Sequence, residues 1–164
     1  MKIAVFSDTH GNTSGMIDAA RRVQPDVIVH LGDNIRDAMD LSSIFPGVPI
    51  YAVPGNCDYM PGGTVPDKLS FMAGPVRVFA THGHNYSVKF GIDALLNAAY
   101  YSGASLVLYG HTHIAHYEAA DGMCILNPGT AGKGTRPTFA VVEISDDGAI
   151  VCRITNIYEE TGGI

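Results

Sequence analysis

The chain has 164 residues, 46% hydrophobic and 16% charged, with a net charge of -6; this is enough to bury about two thirds of the unfolded surface and too apolar for intrinsic disorder. The acidic balance, with a pI near 5.5, argues against a broad basic face for gripping DNA or RNA, although bound divalent cations would still admit an anionic substrate. At the N-terminus the apolar run is only Ile3 to Phe6, too short for a signal-peptide core or a membrane span, and Cys57, Cys124 and Cys152 are odd in number without CxxC spacing, against a disulfide framework. A single domain over residues 1–164, acting in the cytoplasm, is the expectation.

Residues 2–6 form an apolar run with β-branched members, followed by the polar stretch 7–12, and read as a buried strand ending in a loop. Apolar residues at helical spacing predict a helix over 13–22, with Thr13 or Ser14 as its N-cap. Residues 26–31 repeat the strand signature, with Gly32, Asp33 and Asn34 as the loop. A helix over 36–44, a strand over 49–53 and a loop over 54–58 follow. This alternation predicts parallel α/β architecture.

The stretch 60–66, rich in Pro and Gly, reads as a loop. Strands are expected over 76–80 and 106–109, separated by a helix over 87–101. Beyond that come short strands at 124–126, 138–144 and 149–155, with Asp146, Asp147 and Gly148 as a hairpin turn. The tail is expected to be antiparallel.

Five candidate strands end in residues able to hold a metal: Asp8 and His10, Asp33, Asn56, His82, and His111 with His113. Ligands of open α/β sheets bind at the carboxyl edge of the strands, so five separate segments point at one place. Two carboxylates, an amide oxygen and four imidazoles suit Mn, Fe, Zn, Co or Ni better than Ca or a thiolate-bound structural Zn. Seven donors exceed what one tetrahedral ion uses, and suffice for two ions if one carboxylate bridges. Gly11, Gly32, Gly55, Gly83 and Gly110 each lie beside a proposed ligand, where a missing side chain permits sharp turns. Asp8 and His10 are two apart, as are His111 and His113; in an extended segment each pair shares a face.

The blocks Ser7-Asp8-Thr9-His10-Gly11-Asn12, Gly32-Asp33-Asn34, Gly55-Asn56-Cys57-Asp58, Thr81-His82-Gly83-His84 and Gly110-His111-Thr112-His113 resemble the ordered motifs of the calcineurin-like metallophosphoesterase superfamily. The compact length and the segment Asn127-Pro128-Gly129-Thr130 resemble its small bacterial and archaeal phosphodiesterase branch. The resemblance implies a four-layer α/β/β/α sandwich of two mixed sheets flanked by helices. It implies Asp8, His10 and His113 on one ion, Asn56, His82 and His111 on the other, and Asp33 bridging. Two divalent ions are expected, manganese first, with zinc, iron(II), nickel and cobalt as alternatives.

Asp33, Asn56, Cys57 and His82 are the residues expected nearest the chemistry, a hydrolysis of small phosphodiesters. Most of the superfamily has His where this chain has Cys57, and a thiol is a poorer acid for a leaving oxygen than an imidazolium. Asn12, Asp58 and His84 are candidates for orienting ligands or facing substrate, with turn capping as the competing use of the first two. His30 reads as a satisfied core residue, and His116 and Arg136 as bystanders. The resemblance also admits a non-catalytic scaffold of the retromer-subunit type, whereas nucleic-acid cleavage lacks a basic stripe to support it. No membrane partner is expected, and aromatic residues between Tyr86 and Tyr101 could mediate a homo-oligomer, core packing being their default reading.

Overall fold

The computed structural model describes residues 1–59, 65–132, 134 and 136–159; most of the loop expected over 60–66 lies outside them. The chain runs β1 (Lys2–Phe6), α1 (Thr13–Val23), β2 (Val27–His30), α2 (Ile35–Ile44), β3 (Ile50–Ala52), β4 (Lys68–Ala73) and β5 (Val76–Thr81). A short 3-10 turn (His84–Tyr86) leads to α3 (Asp93–Ser102), β6 (Leu106–Leu108), β7 (His116–Ala120), β8 (Met123–Asn127), β9 (Thr138–Ile144) and β10 (Ile150–Asn156).

One sheet has the order β10-β9-β1-β2-β3 and the other β4-β5-β6-β8-β7. In the first, β1, β2 and β3 are parallel and β9 and β10 antiparallel. In the second, β5, β6 and β8 are parallel, with β4 and β7 antiparallel at the edges. Period-2 alternation sends Ile3, Val5, Val27 and Val29 of the first sheet against Val78, Ala80, Leu106 and Leu108 of the second. The outer face of the first sheet, Ala4, Phe6 and Ile28, packs on Met16, Ala19, Ala20 and Leu41 of α1 and α2. Phe79, Val107 and Ile125 on the outer face of the second sheet pack on Leu95 and Ala99 of α3. Helix, sheet, sheet and helix thus form the four layers, and each large buried side chain contributes roughly 1.5–3 kcal/mol of transfer free energy.

Several expectations need correction. β4 is absent from the sequence reading, yet Lys68, Ser70 and Met72 point outward while Leu69, Phe71 and Ala73 turn in, the signature of a half-exposed edge strand. β7 is largely exposed and carries too few apolar residues to announce itself. β8 runs parallel to β6, with Leu106 opposite Cys124, so the expected wholly antiparallel tail holds only for β9 and β10. The reversal that allows this is made by Asp121 and Gly122, at φ 51 and 77. The third helix begins at Asp93 rather than 87, because Ser87 (φ 54) and Gly91 (φ 154) break the helical path. The cap position of α1 is Asn12, not Thr13 or Ser14, and it makes no side-chain capping bond. Phe90, Tyr100 and Tyr101 are 95%, 69% and 86% exposed, against the default of core packing.

His30 is fully buried at the end of β2. Its Nδ1 accepts from the Gly32 amide at 3.2 Å, which leaves Nε2–H to donate to Thr9 Oγ1 at 3.0 Å. Both ring nitrogens are satisfied in the neutral form, and burial pushes the imidazole down to about 4. Below about pH 6.5 the unfolded chain takes up a proton that the native state refuses, so native stability falls from there down to about pH 4. A loss of about 3 kcal/mol is expected across that window, measured by denaturant titration at successive pH values, and His30→Gln should flatten the slope.

Candidate metal centre

β1, β2 and β3 run parallel in one sheet, β5 and β6 in the other, and the loops after all five converge on one rim of the sandwich. Backbone bonds lace these loops together: Asp8 N–H to Gly32 C=O at 2.9 Å, His10 N–H to Asp33 C=O at 3.3 Å, and Gly110 N–H to His82 C=O at 3.0 Å. The two sheets are joined at this rim by His82, whose Nδ1 lies 2.6 Å from the Leu31 carbonyl. A carbonyl oxygen only accepts, so Nδ1 carries the hydrogen and Nε2 of the neutral ring is a bare lone pair.

That lone pair faces oxygens: Asn56 Oδ1 at 3.2 Å and Asp33 Oδ1 at 3.5 Å. On the other side, Asp8, His10, Asp33 and His113 each offer a ligand atom, all within 4.8 Å of one another. His113 Nε2 lies 3.0 Å from Asp8 Oδ1, an oxygen fully enclosed and without a hydrogen-bond donor. His10 Nε2 approaches the second oxygen of Asp33, Oδ2, at 3.9 Å. The two carboxylate oxygens of Asp33 are therefore directed to different histidines. His111 lies beside His82, the two ring centroids 5.0 Å apart. Acceptors gathered around common points, with a buried oxygen left unpaired, are what a cation would satisfy, and the mixed N and O donors fit first-row divalent ions.

The seven predicted donors thus meet at one rim, though not by the expected geometry. Asp8, His10, Asp33, His111 and His113 have φ of 55, 46, 57, 69 and 61, so the paired ligands lie in left-handed turns, not in extended segments with a shared face. This region costs a non-glycine residue roughly 1–2 kcal/mol, and such strain clusters where side-chain placement matters more than stability. Glycine is required where the loops touch. A Cβ on Gly55 would collide with Asp33 Oδ1 and the Asp33 amide, and one on Gly110 with the Ser7 hydroxyl.

Burial alone would raise the Asp33 carboxyl, but the hydrogen bond from the Cys57 amide and the neighbouring His82 outweigh it and hold it below the ordinary range. His84 and His111 are pushed down, by burial first and then by His82. Low imidazole values keep the ligating form available at neutral pH. The Cys57 thiol is pushed up by burial and by its interaction with Asp33, so it holds its proton.

Asp58 accepts from the amides of Asn34 and Ile35, both at 2.9 Å, and of Gly55 at 2.8 Å. It caps α2 and also fixes the loops bearing Asp33 and Asn56. Asn12 donates to the Ala131 carbonyl at 3.2 Å and Tyr158 Oη at 3.3 Å, tying its loop to later segments, with no ligand atom among its partners. His84 sits 5.4 Å from His82 by ring centroids, its enclosed Nδ1 unpaired. His116 lies near Tyr109 Oη, 3.0 Å away, and Arg136 is exposed. Asp37 escaped the sequence reading: nearly buried, it accepts from the Gly11 amide at 2.9 Å and Asn34 Nδ2 at 3.0 Å. Its signal was an acidic residue in the first turn of α2.

Residues 1–147 match the family model of the calcineurin-like phosphoesterase superfamily domain. The chain belongs to that superfamily. A probable metallophosphoesterase of Bacillus subtilis, YsnB, is 32% identical over 99% of this chain and 93% of its own. A phosphodiesterase of Methanocaldococcus jannaschii is 27% identical, over 79% of this chain and 83% of that one. Among solved structures, Vps29 from Entamoeba histolytica complexed with zinc has a TM-score of 0.70 at 20% identity, covering 96% of this chain and 99% of that one, and shares the fold. The superfamily membership agrees with a metal-binding role for the Asp and His cluster.

Gly55→Ala should keep the far-ultraviolet circular dichroism of the native fold while its affinity for manganese falls about tenfold or more, as Asp33 is displaced. His113→Gly, at a half-exposed left-handed position, should weaken metal binding yet leave the metal-free protein as stable as the parent or about 1 kcal/mol more so. Denaturation of the chelator-treated proteins, beside elemental analysis, separates the two effects.

Proposed function

We propose that this chain is a binuclear metal-dependent phosphodiesterase that converts small phosphodiesters and water to a phosphomonoester and an alcohol. The observation that carries the reading is Asp33, with one oxygen 3.5 Å from His82 Nε2 and the other 3.9 Å from His10 Nε2, the disposition a bridging carboxylate needs. Asp8, His10 and His113 would hold one ion and Asn56, His82 and His111 the other. When bound, the two cations supply a nucleophilic water at neutral pH and neutralise charge on the phosphoryl oxygens. Manganese is the first candidate, with zinc, iron(II), cobalt and nickel as alternatives that availability decides among.

The protein's own contribution is placement and charge. Asp33 stays ionised despite burial, the Leu31 carbonyl fixes the tautomer of His82, and the Asn56 amide presents its oxygen toward the same ring. Cys57, exposed and holding its proton, is a weak acid beside the leaving oxygen. Diesters with acidic alcohols are therefore the favoured substrates; the phosphodiesterase name of the archaeal relative supports diesters as the substrate class. Three free cysteines, and the absence among the described residues of a helix long and apolar enough to cross a membrane, support action in the cytoplasm.

A non-catalytic scaffold of the retromer-subunit type is the alternative, and likeness of fold at 20% identity does not distinguish it. Retention of all seven donors favours the enzyme. Manganese-loaded protein should hydrolyse bis-p-nitrophenyl phosphate, and Asp33→Ala should lose about a hundredfold or more of the rate. Full activity in that variant would overturn the bridging role, and no turnover of any diester or monoester by the loaded parent would turn the reading to the scaffold.

A further inference from the structure

Asn127, the last residue of β8, is fully buried and polar, and it is no ligand of the proposed centre. Its Nδ2 donates one hydrogen to the Gly110 carbonyl at 2.9 Å and the other to Thr112 Oγ1 at 3.1 Å, while Oδ1 accepts from the Gly129 amide at 2.9 Å. Gly110 and Thr112 bracket His111 and lead into His113. Both hydrogens of one amide group thus clamp the turn that carries two metal-facing imidazoles.

Three residues later the same segment grips the other side of the centre. Thr130 Oγ1 donates to the backbone carbonyl of Asp8 at 2.9 Å and accepts from the Gly132 amide at 3.1 Å. The Ala131 amide donates to the Ser7 carbonyl at 2.9 Å, and the Ala131 carbonyl receives Asn12 Nδ2. Residues 127–132 therefore tie the histidine turn of one sheet to the first loop of the other. Across that tie His113 Nε2 meets Asp8 Oδ1 at 3.0 Å.

Asp8, His111 and His113 all hold left-handed backbone angles, which persist only where surrounding bonds over-determine them. A buried amide left without partners would be costly, whereas this one has partners on the turn whose conformation needs support. We infer that Asn127 and Thr130 are positioning residues of the metal centre, setting the separation of the His111–His113 turn from Asp8. This inference rests on the metallophosphoesterase reading given above.

Asn127→Asp keeps the acceptor for Gly129 but turns an oxygen toward Gly110 C=O and Thr112 Oγ1. Thr130→Val removes the donor to Asp8 at nearly constant shape, and Thr130→Ser restores it. Manganese titration of the full chain by calorimetry, with electron paramagnetic resonance of the bound ions, should show affinity about 10- to 100-fold weaker in Asn127→Asp and Thr130→Val. Thr130→Ser should bind as the parent does. Denaturation of the chelator-treated proteins is measured alongside, because a merely structural role would lower that midpoint and leave affinity at 25 °C untouched. Parental affinity and an unaltered resonance spectrum in both weakened variants would overturn the inference while leaving the metal reading intact. A parent that binds neither manganese nor zinc would overturn the metal reading itself. If Asn127→Asp fails to fold, the contrast between Thr130→Val and Thr130→Ser decides.

Discussion

Acceptors held against one another at the rim of two docked sheets are the constraint from which the rest of this structure follows. The bare Nε2 of His82 faces two oxygens, and a buried oxygen of Asp8 has no donor. A cation placed among them would take them as ligands, and only an arrangement already in place can offer that. The fold must therefore hold them by other means, and those means are backbone bonds between loops and side chains such as Asp58, Asp37 and Asn127 that accept or donate several bonds at once.

This division of labour explains where stability and strain reside. The apolar layers between and outside the sheets are continuous and closely buried, whereas unfavourable φ values gather at the rim, on five of the seven donors. Rigid strands hold the bases of the loops, so the cost of the strained residues is offset by packing that takes no part in the chemistry. The same separation lets a chain of net charge -6 serve an anionic substrate, since the attraction is local and belongs to the ions the rim would hold.

Much of this was legible in the sequence. The buried parallel strands are near-continuous apolar runs, so β1, β2, β5 and β6 were found within a residue or two, and the donors stand immediately after them. Glycines beside Asn56 and His111 announced the close approaches seen at Gly55 and Gly110. What sequence could not convey was the neighbourhood of half-exposed strands: β4 and β7 take their structure from pairing with β5 and β8, and the parallel entry of β8 depends on a crossover no local pattern encodes. The left-handed ligand turns were likewise hidden, because Asp and His do not advertise positive φ as glycine does. Asp37 and Asn127 act through partners 26 and 17 residues distant, a separation at which spacing carries no signal.

The direction of the strands gives the sandwich two unlike ends. Since β8 reaches the donor rim at Asn127 and β1 pairs with β9 in the opposite sense, the turns at 121–122 and 145–149 sit at the far end, stitched by local bonds such as Gly148 N–H to Ser145 C=O at 2.9 Å. Among the described residues, the hydrogen bonds of the 145–149 turn stay within the turn. A fluorophore, affinity peptide or new chain terminus introduced at either turn leaves the ligand cage undisturbed, which makes this end the natural handle for immobilising the protein.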